Sequence, residues 1–412
     1  MKICIPIINL RDIKKANKTK ADLLELRTDL YKNYNLKNIF YKCHKPAIIT
    51  IKKNDQKLIQ EAVDLKPAYI DINFDLKNKI KYNNLIISYH NYHKTPDFKF
   101  LDKLIKKGVN KIAVKINKVE DNLIIAKLLK KYPDKIIALG MGELGIMTRL
   151  DKRNKISFFS LNKVKKTAPG QLTIGQKNLK LYGIIGKNIQ YTLSPQMHNT
   201  GFRQHKINAL YQIWDTNNLK IMIQIFREFH LAGASVTVPY KEEIMKYLNT
   251  INHDVKKIGA VNTIVNKKNK LYGYNTDWYG ITESIKKYIK IKNKKVIVLG
   301  QGGAAKAAKY GLEKYGAQVK LLNREAIKNF SGNFDILINA TPVSDKLLIN
   351  KKILKKHQVI FDLIYYKKTK LLREAEKKGC IVMSGLDMLR YQGEKQFKLW
   401  TNKAINYEKY AL

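Results

Sequence analysis

The sequence predicts an α/β chain made of two modules, a parallel (β/α)8 barrel followed by a doubly wound half. Three observations carry this. In residues 1–160, eight short apolar runs alternate with polar, helix-like stretches. At 162–178 the rhythm breaks in "NKVKKTAPGQLTIGQKN", where Pro169, Gly170 and Gly175 make a plausible boundary. From Leu181 a second alternation begins, and it holds the strand–turn–helix unit "VIVLGQGGAAKAA".

The eight runs are Ile3–Ile8, Leu23–Leu26, Ala47–Ile51, Tyr69–Ile72, Leu85–Ile87, Ile112–Ile116, Ile136–Leu139 and Ile156–Phe159. Helix-like segments such as Phe98–Lys107 and Asn122–Lys131 lie between them. Strands that read as continuous apolar runs belong to parallel sheets covered on both faces. Eight such units predict a TIM barrel, trimmed well below its usual ~250 residues. In the second half, Lys295–Gly300 reads as a strand, Gly302 opens a helix reaching about Tyr315, and Val319–Leu322 is the next strand.

The chain has 412 residues, enough for two to four domains. No apolar run of 18 residues occurs, so no membrane-spanning helix is expected. The opening "MKICIPIINLRD" is too short in apolar residues for a signal peptide, and a cytoplasmic protein is expected. Cys4, Cys43 and Cys380 are scattered and no CxxC occurs, so neither a disulfide framework nor a metal site is expected. The formal net charge is +46. The lysines are spread along the whole chain and accompany abundant Ile, Asn and Tyr. That mixture points to AT-rich coding rather than a nucleic-acid partner, while the field still attracts anionic metabolites.

In the glycine turn, Gly300 permits the tight bend and Gly302 lets a phosphate approach the backbone. Ala304 and Ala305 keep the helix close to the sheet, and its N-terminus offers free N–H groups. The next strand ends in Asn323-Arg324. A guanidinium there suits the 2′-phosphate of NADP, although Glu325 follows directly with the opposite preference.

Nine pieces from residue 183 onward resemble, in order, the shikimate dehydrogenases. They are "GIIGKNIQYTLSPQMHN", "ASVTVPYK", "GAVNT", "GYNTD", "VLGQGGAAKA", "NR", "INAT", "DLIY" and "MLRYQG". The resemblance implies a catalytic pair, Lys241 and Asp277. It implies shikimate and dehydroshikimate contacts at Thr192, Ser194, Thr237, Asn262, Tyr365 and Gln392. It implies NADP contacts at Gly300, Gly302, Gly303, Ala304, Asn323, Arg324, Lys328, Thr341 and Gly385. A protonated lysine stabilises the oxyanion of carbonyl reduction and can supply its proton, and a carboxylate holds it charged. Thr192 stands where the family usually has Ser, and Ser235 where it usually has Asn. "NATPVSD" lacks the usual Gly, and "DLIYYKKT" the usual Pro.

The first half resembles type I 3-dehydroquinate dehydratase in "ADLLELRTD", "ISYHNYHKTP", "NKIAVKI", "MGELGIMTRL" and "APGQL". The resemblance implies imine formation on Lys111 and general acid–base work by His90. It implies substrate-side roles for Glu25, Arg27, Arg149 and Gln171. Lys52 stands where the family has an Arg followed by an acidic Gly-Gly loop, and Asn73 where it has an acid. Strand geometry alone favours Lys115, because barrel sites lie at strand C-terminal ends; the resemblance favours Lys111. An imine needs a neutral amine, and burial lowers a lysine pKa. We therefore expect Lys111 uncharged and Lys241 charged.

Together the halves imply a bifunctional shikimate-pathway enzyme converting 3-dehydroquinate through 3-dehydroshikimate to shikimate with NADPH. The expected domains are 1–175, 179–290 completed by 385–412, and 291–384, the last a Rossmann NADP domain. Three alternatives stand beside this: a barrel that only scaffolds the dehydrogenase, a basic nucleic-acid-binding protein, and an NAD-dependent quinate dehydrogenase. Sequence leaves the oligomeric state open.

Overall fold

The computed structural model describes residues 1–162 and 166–409. Residues 163–165 of the expected boundary stretch and 410–412 of the expected C-terminal completion lie outside the described residues. Two compact units are resolved: Met1–Leu179 with Gln224–Phe229, and Lys180–Ile223 with His230–Leu412.

The first unit holds β1 (Lys2–Ile7), β2 (Leu23–Arg27), β3 (Ala47–Ile51), β4 (Tyr69–Asn73), β5 (Leu85–Asn91), β6 (Lys111–Lys115), β7 (Ile137–Met141) and β8 (Ile156–Phe158). All eight apolar runs became strands. The parallel ladder runs from β7 through β1 to β8. Two hydrogen bonds close the seam between β7 and β8. The Lys155 N–H donates to the Ile136 carbonyl at 2.9 Å, and the Ala138 N–H donates to Asn154 Oδ1 at 2.7 Å. The trimmed barrel is therefore nearly closed.

Economy comes from the cover. Helices Ile13–Asn17, Leu36–Tyr41 and Ile146–Arg149 are one or two turns, and a 3-10 segment, Phe74–Lys79, stands in for the helix after β4. The longer helices start on sequence signals. Asp55 and Asp97 accept hydrogen bonds from the N–H groups of Leu58 and Phe100, capping Gln56–Asp64 and Phe98–Lys106.

Alternation along the strands builds the interior. Cys4, Leu23, Ile48, Ile86, Ile137, Leu139, Ile156 and Phe158 form an apolar plug. Leu24, Leu26, Ile49, Ile51, Ile70 and Ile72 belong to a separate outer core with helix residues such as Ile59 and Ala62. Moving along the inward faces, polar residues replace the plug: Leu23 gives way to Glu25, Ile48 to Thr50, and Ile86 to Ser88.

The second unit begins with β9 (Lys180–Gly186), β10 (Ala209–Asp215), β11 (Gly233–Val236), β12 (Thr250–Ile251), β13 (Thr263–Lys267) and β14 (Lys270–Tyr274), in the order β10-β9-β11-β13-β14-β12. β13 and β14 form a hairpin whose turn residues, Lys268 and Asn269, have φ of 51° and 65°, as a primed turn requires. Helix Asp277–Lys286 leads to β15 (Lys295–Leu299), β16 (Gln318–Leu322), β17 (Ile336–Asn339), β18 (Val359–Asp362) and β19 (Ile381–Ser384). This sheet is parallel, in the order β16-β15-β17-β18-β19. Its order reverses beside β15, where doubly wound folds bind ligands.

Helix Leu386–Thr401 then returns to the six-stranded sheet. Trp400 Nε1 donates to the Ile264 carbonyl at 2.9 Å, and Gln396 Nε2 to the Asn262 carbonyl at 3.1 Å. Among the described residues, no helix is long and apolar enough to cross a membrane. No group of three His, Cys, Asp or Glu among them is placed to hold a metal ion.

Candidate active sites

In the barrel, register decides which polar groups meet. Lys111 lies opposite Ser88 in the β5–β6 ladder, and Asp71 opposite Thr50 in the β3–β4 ladder. A cavity of about 90 Å³ opens above the apolar plug. Glu25, Arg27, Lys52, His90, Lys111, Arg149 and Gln171 all line it. Lys115 does not; its Nζ lies 3.1 Å from where a Cβ on Gly142 would stand.

The Lys111 Nζ donates to Asp71 Oδ2 at 2.5 Å and sits 4.3 Å from the centre of the Phe158 ring. Ser88 Oγ donates to the other Asp71 oxygen at 2.5 Å, and Lys52 Nζ approaches that oxygen at 3.6 Å. Lys52 also donates to Asn73 Oδ1 at 3.3 Å. Arg27 is held by Asp29 through two bonds of 2.8 and 2.7 Å. Thr50 Oγ1 donates to Glu25 at 2.8 Å, and the Thr167 N–H to Gln171 Oε1 at 2.7 Å.

These partners overturn the expected uncharged Lys111. Burial does act against its charge and is the largest influence, but Asp71 and Glu25 together outweigh it, so its pKa is raised. Asp71 is fully buried, which alone raises a carboxyl; Lys111 and Lys52 reverse that and hold it well below the usual carboxylate range. His90 goes the other way. Burial, helped by Lys52 and Lys111, pushes it down to about 3, so the ring is neutral at physiological pH. Burial also pushes Arg149 down to about 10, and its Nε has no hydrogen-bond partner. A buried guanidinium with a free donor beside a cavity is a receptor for an anion.

The second unit holds a cavity of about 240 Å³. Lys241 and Asp277 line it together with Thr192, Ser194, Thr237, Asn262, Tyr365 and Gln392. Lys241 Nζ donates to Asp277 Oδ2 at 2.5 Å, and Asn262 Nδ2 donates to Asp277 Oδ1 at 2.7 Å. Asp277 is the first residue of its helix, where the dipole favours negative charge. Thr192 Oγ1 donates to Ser194 Oγ at 3.1 Å, giving two adjacent hydroxyls at one wall. Burial pushes the Tyr365 hydroxyl above its ordinary range.

Ala304, Thr341 and Gly385 line the same cavity; Gly300, Gly302, Gly303, Asn323, Arg324 and Lys328 do not. Gly300 turns at φ 115°, and Gly302 caps the twelve-residue helix Gly303–Lys314. A Cβ added at Gly302 would meet no atom within 4 Å, so space lies open before the helix N-terminus. That space and those N–H groups fit a dinucleotide pyrophosphate. Asn323 Oδ1 caps helix Arg324–Lys328 by accepting from the Ala326 N–H at 2.8 Å. Arg324 and Lys328 are exposed at the two ends of that helix.

Asp71, Ser88 and Phe158 in the barrel, and Thr276 and Gln396 in the second unit, are not among the expected site residues, and Ser235 is expected only as a departure from the family pattern. The available signal for Asp71 was an acid inside the buried run "YIDI".

A family model described as type I 3-dehydroquinase matches residues 4–188, and one described as shikimate dehydrogenase substrate binding domain matches residues 184–264. The chloroplastic bifunctional 3-dehydroquinate dehydratase/shikimate dehydrogenase of Arabidopsis thaliana is 30% identical over 502 residues, covering 99% of this chain and 83% of that protein. The shikimate dehydrogenase (NADP(+)) of Pyrococcus abyssi is 38% identical over 245 residues, covering 54% of this chain and 92% of that protein. The crystal structure of shikimate dehydrogenase from Aquifex aeolicus is 37% identical with a TM-score of 0.53, covering 56% of this chain and 96% of that one. With both modules present and a relative aligned along almost its whole length, this chain belongs to the family of bifunctional 3-dehydroquinate dehydratase/shikimate dehydrogenases.

Proposed function

We propose that the barrel dehydrates 3-dehydroquinate to 3-dehydroshikimate, and that the second unit reduces this product to shikimate with NADPH. The lining of the two cavities supports this reading most: each includes a lysine bonded to a carboxylate, Lys111 to Asp71 and Lys241 to Asp277, beside groups suited to a hydroxylated acid. We assign domains 1–175, 179–290 with 385–412, and 291–384.

In the barrel, Arg149 takes the substrate carboxylate, pairing the donor left free in the protein. The substrate presents its ketone to Lys111. Lys111 gives up a proton, its amine adds to the ketone, and that proton returns to the carbinol hydroxyl, which leaves as water as the cationic imine forms. Neutral His90 removes a proton from the carbon next to the imine. The electron pair moves toward the C=N, then expels the β-hydroxyl as a second water, which takes up that proton. Hydrolysis of the imine consumes one water and frees the enone, so the net change is loss of one water. Asp71, held ionised, stabilises the cationic imine nitrogen.

In the second unit, the Gly300–Gly303 turn and the N-terminus of helix Gly303–Lys314 would hold the pyrophosphate of NADPH, which would supply a hydride to the carbonyl carbon. Lys241 gives a proton to the carbonyl oxygen as negative charge develops there. Asn262 and Lys241 occupy both oxygens of Asp277, so the carboxylate cannot turn away. Thr192 and Ser194 bind the substrate carboxylate, and Tyr365 and Gln392 meet other oxygens.

Borohydride added during incubation with 3-dehydroquinate tests the barrel. A reduced adduct on Lys111, located by peptide mass, is expected. Its absence contradicts the dehydratase role and leaves the barrel a scaffold.

A further inference from the structure

We propose that Tyr211, Ser235 and Gln396 are positioning residues of the reductase, acting through a hydrogen-bond relay that fixes the Asn262 amide and, through it, Asp277. The proposal rests on the reductase reading above.

The relay is continuous. Tyr211 OH donates to Ser235 Oγ at 2.6 Å, and Ser235 Oγ donates to Gln396 Oε1 at 2.9 Å. Gln396 Nε2 donates to Thr263 Oγ1 at 3.0 Å, and Thr263 Oγ1 donates to Asn262 Oδ1 at 2.7 Å. Asn262 Nδ2 then donates to Asp277 Oδ1 at 2.7 Å.

Its direction is forced by groups that can only accept. Asp277 is a carboxylate, so Asn262 must turn its NH2 toward it. Asn262 Oδ1 therefore faces Thr263, and also accepts from the Thr276 N–H at 2.8 Å. The Asn262 backbone carbonyl likewise only accepts, so Gln396 must turn its NH2 toward that carbonyl, at 3.1 Å. Gln396 Oε1 then faces Ser235, which must donate to it and so accepts from Tyr211. Flipping either amide would set oxygen against oxygen. Tyr211, Ser235, Asn262, Thr263 and Gln396 are all buried, with at most 5% of any one exposed, and Ser235, Asn262 and Gln396 also line the cavity. A buried polar chain of this kind holds its members more firmly than separate bonds do.

Steady-state reduction of 3-dehydroshikimate by NADPH tests it in the full-length chain. Tyr211→Phe and Ser235→Ala should each lower kcat about tenfold, with KM unchanged within about twofold. Because both break one chain, the double variant should fall no further than the weaker single, and Ser235→Thr should restore most of the rate. Dehydratase activity of the same proteins should stay at the wild-type level, reporting that they fold. Tyr211→Phe removes one oxygen and keeps the ring, so the test survives even if Ser235→Ala fails to fold. The relay is refuted if kcat is unchanged, if the two losses multiply to about a hundredfold, or if KM rises instead. A wild-type chain that forms the Lys111 adduct but does not reduce 3-dehydroshikimate overturns the reductase reading, and the relay with it.

Discussion

Replacing Asp71 by Asn tests whether a carboxylate, rather than burial, sets the state of Lys111. The side chain keeps its shape and an oxygen for Ser88, but loses its charge. Lys111 and Asp71 are 2.5 Å apart and both buried. At an effective dielectric of about 20, their attraction is roughly 7 kcal/mol. Desolvation offsets part of this, and removing one member of a buried pair typically costs about 3–5 kcal/mol. Lys111 has one escape. Shedding its proton at pH 7 from an ordinary pKa costs about 4–5 kcal/mol, which caps the loss. The expected destabilisation is therefore about 3–5 kcal/mol at pH 7. The pH dependence carries the sharper signature. In the wild type, the folded pKa of Lys111 lies above its unfolded value of 10.5. Its stabilising contribution is therefore full below that value and is lost only as pH rises through the folded pKa. Without Asp71, burial dominates and the folded pKa drops, so the variant should gain stability between pH 7 and 10 while the wild type does not. Trp214, Trp278 and Trp400 all lie in the second unit, so fluorescence would miss the barrel. Amide exchange in β4 and β6 against urea follows it instead. A loss below about 1 kcal/mol, or an identical pH dependence in both proteins, would refute the reasoning.

Gly302→Ala should fold normally, since its added Cβ meets no atom, yet lose most NADPH affinity in a fluorescence titration; intact affinity would place the phosphates elsewhere. Lys241→Met should lower reductase kcat at least about a thousandfold and leave dehydratase rates alone, as two separate assays would show. Burial pushes His198 down to about 3, so it is neutral when folded and protonates in the unfolded chain below about pH 6.5. Stability of the second unit should therefore fall as pH drops from about 6.5 toward 3, by up to about 1.4 kcal/mol per unit, and His198→Gln should flatten that slope in urea titrations.

The eight barrel strands were legible because strands buried on both faces leave unbroken apolar runs. Their extents were less so. β5 continues through Asn91, four residues past its apolar run, because its inward face turns polar at Ser88 and His90. The resemblance pointed to Lys111 rather than Lys115, and Lys111 is the one that lines the cavity, but its charge was not legible. Composition places Lys111 in a dry barrel; only register brings Asp71 to it from 40 residues away. The same holds for the relay, where Ser235 on β11 and Gln396 on the returning C-terminal helix meet across 161 residues. Local patterns reveal strands, turns and caps. They do not reveal which polar side chains meet inside, and those meetings fix protonation and direction. Asn323 carries a local role that was not read: its Oδ1 caps its own helix by accepting from the Ala326 N–H.

One coupled assay tests the central claim that both activities reside in this chain. The purified protein is supplied with 3-dehydroquinate and NADPH only, and absorbance loss at the nicotinamide band is compared with shikimate formed. Equal amounts of NADPH consumed and shikimate produced, with no other enzyme added, are predicted. NADPH consumption only after 3-dehydroshikimate is supplied, or no consumption with either substrate, would contradict it.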